Sequence, residues 1–195
     1  MPILPAEPDL FPSDLWQSAE VRFQPSGERK WWCLHTKPRQ EKATARHLRS
    51  QNIAYYLPQV LHEDRTPLGR KTRSVIPLFS SYVFLLGTDQ DRLLSMKANR
   101  LVRVLEVASQ ESLNHDLQQI HQLLASGLAV IAEPAVPVGS RVRILSGPLA
   151  GIEGRVVKRG KRDQFVAIVQ FLGSGAMVDL EDWQVEQLPD LKARC

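Results

Sequence analysis

Pro77-Leu78-Phe79-Ser80-Ser81-Tyr82-Val83-Phe84 leads from a turn into an aromatic strand. Well downstream, Gly147-Pro148-Leu149-Ala150-Gly151-Ile152-Glu153-Gly154-Arg155-Val156 gathers glycines and a proline around a second turn. Gly147 and Pro148 suit a tight turn, and Gly151 and Gly154 let neighbouring strands approach closely. Outward from this second stretch no helical period survives. Val142 and Ile144 alternate with Arg141 and Arg143, Phe165 to Leu172 is apolar and partly β-branched, and Gly160, Gly173 and Gly175 punctuate the rest. Short strands joined by glycine turns predict a small barrel over 138–189.

Outward from the first stretch, the pattern is mixed. Trp31 to Thr36 is short and aromatic-rich and stops at Lys37-Pro38, as a strand would. Pro38 fits the first turn of a helix running to about Gln51. On that helix Arg39, Lys42, Arg46 and Arg49 form one stripe, with Ala45 and Leu48 on the opposite, inward side. Strands are predicted at Ala54–Pro58, Ser81–Leu86 and Leu101–Val107. A polar, basic hairpin-like stretch, Glu63 to Ser74, precedes the second of these. Helices are predicted over Gln90–Lys97 and Ser112–Ser126; the latter carries Leu113, Leu117, Ile120 and Leu124 on one face and Gly127 as its C-cap. Strands interleaved with helices make this an α/β layer domain over 30–126. Residues 127–137, with prolines at 134 and 137, read as a stiff linker. Residues 1–29 carry five prolines without a sustained period and read as a mostly irregular extension, in which Leu10-Phe11 and Leu15-Trp16 are the segment suited to docking.

The chain has 195 residues, 43% hydrophobic and 24% charged, enough for one large or two small domains. Two cysteines, one of them the last residue, make no disulfide scaffold, so a reducing cytoplasm is expected. No apolar run approaches the ~20 residues of a membrane span, and the start lacks the basic and apolar regions of a secretory signal. A net charge of +4, with a pI near 9.3, permits contact with nucleic acid without establishing it. No Cys/His cluster forms a metal site, no phosphate-binding glycine loop is present, and no nucleophile–base or paired-carboxylate arrangement indicates catalysis. Neither a cofactor nor an enzymatic activity is expected.

Taken in order, the aromatic strand, the Pro-Leu-Phe-x-x-Tyr segment and the glycine turn resemble the NusG family of transcription elongation factors, from about Lys30 to Leu188. A specialised paralogue of bacterial type is the nearer likeness, given the N-terminal extension and Ser80-Ser81, where the family usually has Pro-Gly or Pro-Asn. The resemblance implies an α+β protein: an NGN-type α/β sandwich with an antiparallel sheet, followed by a small SH3-like KOW β-barrel. It also implies a non-enzymatic role, binding RNA polymerase to modulate pausing and termination, as a cytoplasmic monomer. A ribosome-associated protein that binds RNA through the KOW barrel is the competing reading.

Carried onto this sequence, the hydrophobic groove for the clamp helices of the polymerase largest subunit maps to Tyr55, Tyr56, Leu57, Leu78, Phe79 and Tyr82; Val83 and Phe84 are read as core. Aromatic side chains there bury large area at small entropic cost. Lys37, Arg39, Lys42 and Arg46 match the edge turned toward upstream or non-template DNA. Arg70, Lys71 and Arg73 extend that basic surface from the hairpin. On the barrel, Phe171, Leu172 and Gly173 match the loop that contacts a small-subunit ribosomal protein or the helicase Rho. Leu172 stands where the family has phenylalanine. Since adjacent strand residues face opposite ways, Phe171 is not expected to substitute for it.

Overall fold

The computed structural model of the chain describes residues 7–17, 23, 28–65, 71–133, 139–159, 162–179 and 185–189. They fall into two compact units, one up to Asn114 and the other from His115 onward.

The first unit is built on a five-stranded antiparallel sheet. Strands β1 (Leu10–Phe11), β2 (Lys30–Thr36), β3 (Ala54–Tyr56), β6 (Tyr82–Gly87) and β7 (Leu101–Glu106) lie in the order β1-β3-β6-β2-β7. Helix α1 (Glu41–Ser50) buries Glu41, Thr44, Ala45 and Leu48, the three-and-four spacing of one helical face. Helix α2 (Asp89–Met96) starts at a capping box in which Thr88 and Asp91 satisfy each other's backbone N–H groups. Strands β4 (Gln59–Arg65) and β5 (Lys71–Pro77) form a separate antiparallel hairpin, where the polar, basic stretch predicts one; its tip lies outside the described residues.

The sheet has two apolar faces. On the α1 side, Trp32, Leu34, Tyr55, Leu57, Val83 and Leu85 pack with Ala45, Leu48 and Ile53. Side chains alternate along a strand, so Trp31, Tyr56 and Phe84 take the other face. All three are fully buried. There Trp31 is tied to helix α3 (Gln110–Ala125): Gln110 Oε1 accepts from its backbone N–H, and Asn114 Oδ1 accepts from its indole N–H at 3.0 Å.

The second unit opens within α3 and continues as a six-stranded antiparallel sheet. Its strands are β8 (Ile131–Glu133), β9 (Ser140–Ile144), β10 (Glu153–Arg159), β11 (Arg162–Val169), β12 (Ser174–Asp179) and β13 (Val185–Gln187), in the order β13-β9-β10-β11-β12-β8. The fold is thus the α+β pair that the resemblance implies: an antiparallel sheet with helices, then a small KOW-like β-domain. Two features depart from the sequence reading. Residues 131–133, inside the segment read as linker, are a strand paired with β12. Asp116 and Gln119 of α3 accept hydrogen bonds from the backbone N–H groups of Gln170 and Glu153, so that part of the helix groups with the β-domain rather than ending the first unit at 126.

The glycine turn has two distinct physical demands. Gly147 and Gly151 take φ of 87° and 91°, and Gly151 donates to the Ile144 carbonyl, closing the turn. Gly154 answers a different need, for space. A Cβ there would stand 2.3 Å from the Val166 carbonyl oxygen and 2.6 Å from the Phe165 ring.

Candidate functional site

Segments 55–57 and 78–82, distant in sequence, meet because β3 and β6 are adjacent, with Tyr56 paired to Phe84 and Tyr55 to Leu85. Leu78 N–H donates to the Pro58 carbonyl at 2.8 Å, and Phe79 meets Phe84 edge to face with ring centroids 6.2 Å apart. The turn that follows explains the family's glycine or asparagine. Ser81 has φ of 67°, a left-handed conformation that side chains resist. Its N–H donates to Glu41 Oε1 at 2.7 Å, so a helix carboxylate holds the strained turn in place. Tyr82 is half-buried and stacks on His35 at 5.2 Å.

The six aromatic and aliphatic residues do not share one surface. Tyr55 and Leu57 belong to the core under α1. Tyr56 lies on the opposite face, as the alternation of side chains along β3 requires. Burial raises the Tyr55 phenol to about 12, helped by Glu7 and Asp9 and opposed by Arg49. It raises Tyr56 well above its ordinary range, with Asp9 adding to the effect. Both phenols stay neutral, so Tyr56 offers an apolar ring rather than acid–base chemistry. Leu78 and Phe79 are also buried, at 3% and 5% exposure.

Much of this burial comes from residues 7–17. Strand β1 adds to the edge of β3, with Leu10 opposite Tyr56 and Phe11 opposite Tyr55. Trp16 lies against both Trp31 and Tyr56, each at 5.6 Å, and Leu15 is fully enclosed. The docking segment of the extension therefore docks on its own domain. Trp16 belongs to the cluster Leu10-Phe11 and Leu15-Trp16 that the sequence marks in an otherwise proline-rich stretch, whereas nothing in the sequence marks Glu7.

The basic residues are placed less uniformly than a helical stripe. Helix α1 begins at Glu41, after Arg39, because Arg39 itself takes φ of 61° and cannot propagate a right-handed helix. Arg39 is exposed. Lys37 Nζ donates to the Asn99 carbonyl at 2.8 Å, and Lys42 Nζ to the Val75 carbonyl. Arg46 and Arg49 both reach the Glu7 carboxylate, at 3.2 and 2.9 Å. On the hairpin Arg73 bridges Glu63 at 2.7 Å in full solvent, a pair of little energetic weight. Lys71 is described in its backbone alone, and Arg70 lies outside the described residues.

In the β-domain, Phe171, Leu172 and Gly173 are in a turn, not a strand, since β11 ends at Val169. The N–H groups of Leu172 and Gly173 both donate to the Val169 carbonyl, and Gly173 has φ of 63°. Strand alternation does not govern this loop, so the argument against Phe171 fails. Its ring is 36% exposed, while Leu172 is half-buried. Elsewhere in this unit Asp116 is pushed up to about 6, chiefly by burial, against the opposing pull of Gln170 and His115. Glu153 is held low, first by its hydrogen bond from Arg143. Among the described residues no three His, Cys, Asp or Glu side chains converge to hold a metal ion. Burial raises the Cys33 thiol to about 12, which leaves it protonated and unreactive.

The family model described as transcription termination factor nusG matches residues 29–122. A solved structure similar to the chain, reported under "Domain interaction in Thermotoga maritima NusG", has 18% sequence identity and a TM-score of 0.44. That match covers 83% of this chain and 98% of the other. Among curated proteins no match was found.

Proposed function

We propose that the chain, whose residues 29–122 match the NusG family model, is a transcription factor of that kind, which binds RNA polymerase through its N-terminal domain and modulates pausing and termination. The family match supports a role in transcription in general; the polymerase contact and its consequences are our reading. The observation that carries it is that the matched residues include the whole aromatic frame, in which Tyr56, Phe79 and Phe84 neighbour one another across β3 and β6. Aromatic rings of this kind suit the tip of a helical hairpin such as the polymerase clamp helices.

The mechanism is one of binding rather than bond chemistry. A factor that holds two polymerase elements together disfavours the opened, paused state, a coupling of ~1–3 kcal/mol. Lys37 and the exposed Arg39 are the residues we assign to phosphates of upstream or non-template DNA, with Lys42, Arg46, Arg70, Lys71 and Arg73 as further candidates. In the β-domain the exposed Phe171 ring, with Leu172 and Gly173, is the surface we assign to a second protein partner, a ribosomal protein or Rho. Reconstituted transcription with cognate polymerase tests the proposal: the full chain should change pause lifetimes and co-purify with polymerase. Co-purification with ribosomal subunits alone, without an effect on elongation, would refute it and favour the RNA-binding reading.

A further inference from the structure

The face on which the proposed function depends is already occupied. Leu10 and Trp16 lie on the Trp31–Tyr56 side of the sheet, while Phe11 stacks on Tyr55 at 6.3 Å on the other. The backbone joins in: the Leu57 N–H donates to the Asp9 carbonyl, the Tyr55 hydroxyl to the Pro8 carbonyl, and Gln59 Nε2 to the Glu7 carbonyl. The Glu7 side chain is only 6% exposed and lies against Arg46 and Arg49. A carboxylate is withdrawn from water only where cations replace its hydration, so those two arginines are committed to it.

Residues 7–17 have the form of a bound peptide rather than a buried element. Residues 7–11 run alongside β3 and residues 13–17 close into turns, and the strand pairing spans only two residues, Leu10 and Phe11, on a sheet edge. Their anchors are apolar side chains at one end and an acid at the other. The family match begins at residue 29, so this segment is an addition to a domain that the matched residues already define. A tight, permanent layer would bring a larger ladder; a two-residue edge pair leaves a segment that can be exchanged.

Resting on the polymerase-binding reading above, we propose that residues 7–17 are an internal ligand, filling in cis the aromatic face and pairing Glu7 with Arg46 and Arg49, and that polymerase binding displaces them. One displacement frees both kinds of group at once. Tyr56 and its neighbours become available to an apolar helix tip, and the two arginines become available to phosphate. An internal ligand lowers apparent affinity by the fraction of chains in the open state, so free protein is held back until a transcription complex supplies both partners for the exposed groups.

Two measurements on the full chain test this. Amide hydrogen exchange of the unaltered protein, alone and with cognate core polymerase, should show residues 9–16 losing protection in the complex. The variants Glu7→Gln and Glu7→Gln/Trp16→Ala should bind polymerase more tightly than the unaltered chain, the double variant by roughly tenfold. Should the double variant fail to fold, Glu7→Gln and the exchange data decide. A complex in which residues 9–16 remain protected, or a folded variant of unchanged affinity, overturns the internal ligand and leaves the proposed function standing. Absence of a polymerase complex with every form overturns both.

Discussion

Replacing Gly154 by alanine should open the β-domain, and the cause is space rather than backbone conformation. The added Cβ would stand 2.3 Å from the Val166 carbonyl oxygen and 2.6 Å from Phe165 Cζ, whereas ordinary contact begins at 3.4 Å. The nearer atom belongs to the backbone of β11, so no rotamer change relieves it; β10 must move away by about 1 Å in an interior with few voids. Overpacking of this kind costs ~1–3 kcal/mol, and weakening one or two ladder bonds between β10 and β11 adds about 1 kcal/mol. A loss of about 2–4 kcal/mol is large against the total stability of a small domain. Gly151 supplies the control. Nothing lies within 4 Å of its virtual Cβ, but φ is +91°, so alanine there meets only conformational strain, ~1–2 kcal/mol. Urea titration of the full chain, with hydrogen exchange read at the amides of 153–169, measures both. Phe165→Leu should partly rescue Gly154→Ala by removing the ring contact, never fully, because the carbonyl contact stays. If Gly154→Ala proves no more destabilising than Gly151→Ala, the close-approach explanation is wrong.

The two faces of β3 should separate in mutagenesis. Tyr56→Ala and Phe79→Ala, both buried, should lower stability and in addition weaken polymerase binding by ~1–3 kcal/mol, whereas Tyr55→Ala, in the core under α1, should lower stability by ~3–5 kcal/mol without a separate loss of binding; thermal melts beside binding isotherms of the folded fraction would show it. Ser81→Gly should raise stability by about 0.5–1 kcal/mol, the left-handed strain relieved less the entropy glycine adds to the unfolded chain, and an unchanged melting temperature would count against strain at that turn. Asp116 is raised from 3.8 in the unfolded chain to about 6 in the fold, so its protonated form is favoured by folding. Its contribution is present below the unfolded value and is lost as pH climbs through the folded one. Asp116→Asn keeps an acceptor for the Gln170 N–H and cannot ionise, so it should exceed the unaltered chain by about 1–3 kcal/mol near pH 8, with the gap closing below about pH 4. Denaturant midpoints across that range decide it, and a gap independent of pH would refute the assignment.

Local chemistry carried most of the fold. The apolar pair Ala45 and Leu48 and the glycine turn at 147–151 each act within a few residues of themselves, so the sequence alone determined α1, the β4–β5 hairpin and the β-domain strands after residue 138. The aromatic frame was legible for the same reason. What required tertiary structure was every choice among distant partners. Nothing local tells Leu10-Phe11 to add to the edge of β3, Ile131–Glu133 to the edge of β12, or Glu7 to seek Arg46 and Arg49, because an unpaired strand edge or a surface cation accepts any segment that can reach it. Whether Phe171 points outward was likewise undecided until β11 was seen to end at Val169, which replaced strand alternation with turn geometry. Periodicity and turn residues act at short range and are written in the chain; edge pairing and ion pairing depend on what the fold leaves unsatisfied, and only the assembled domain reveals that.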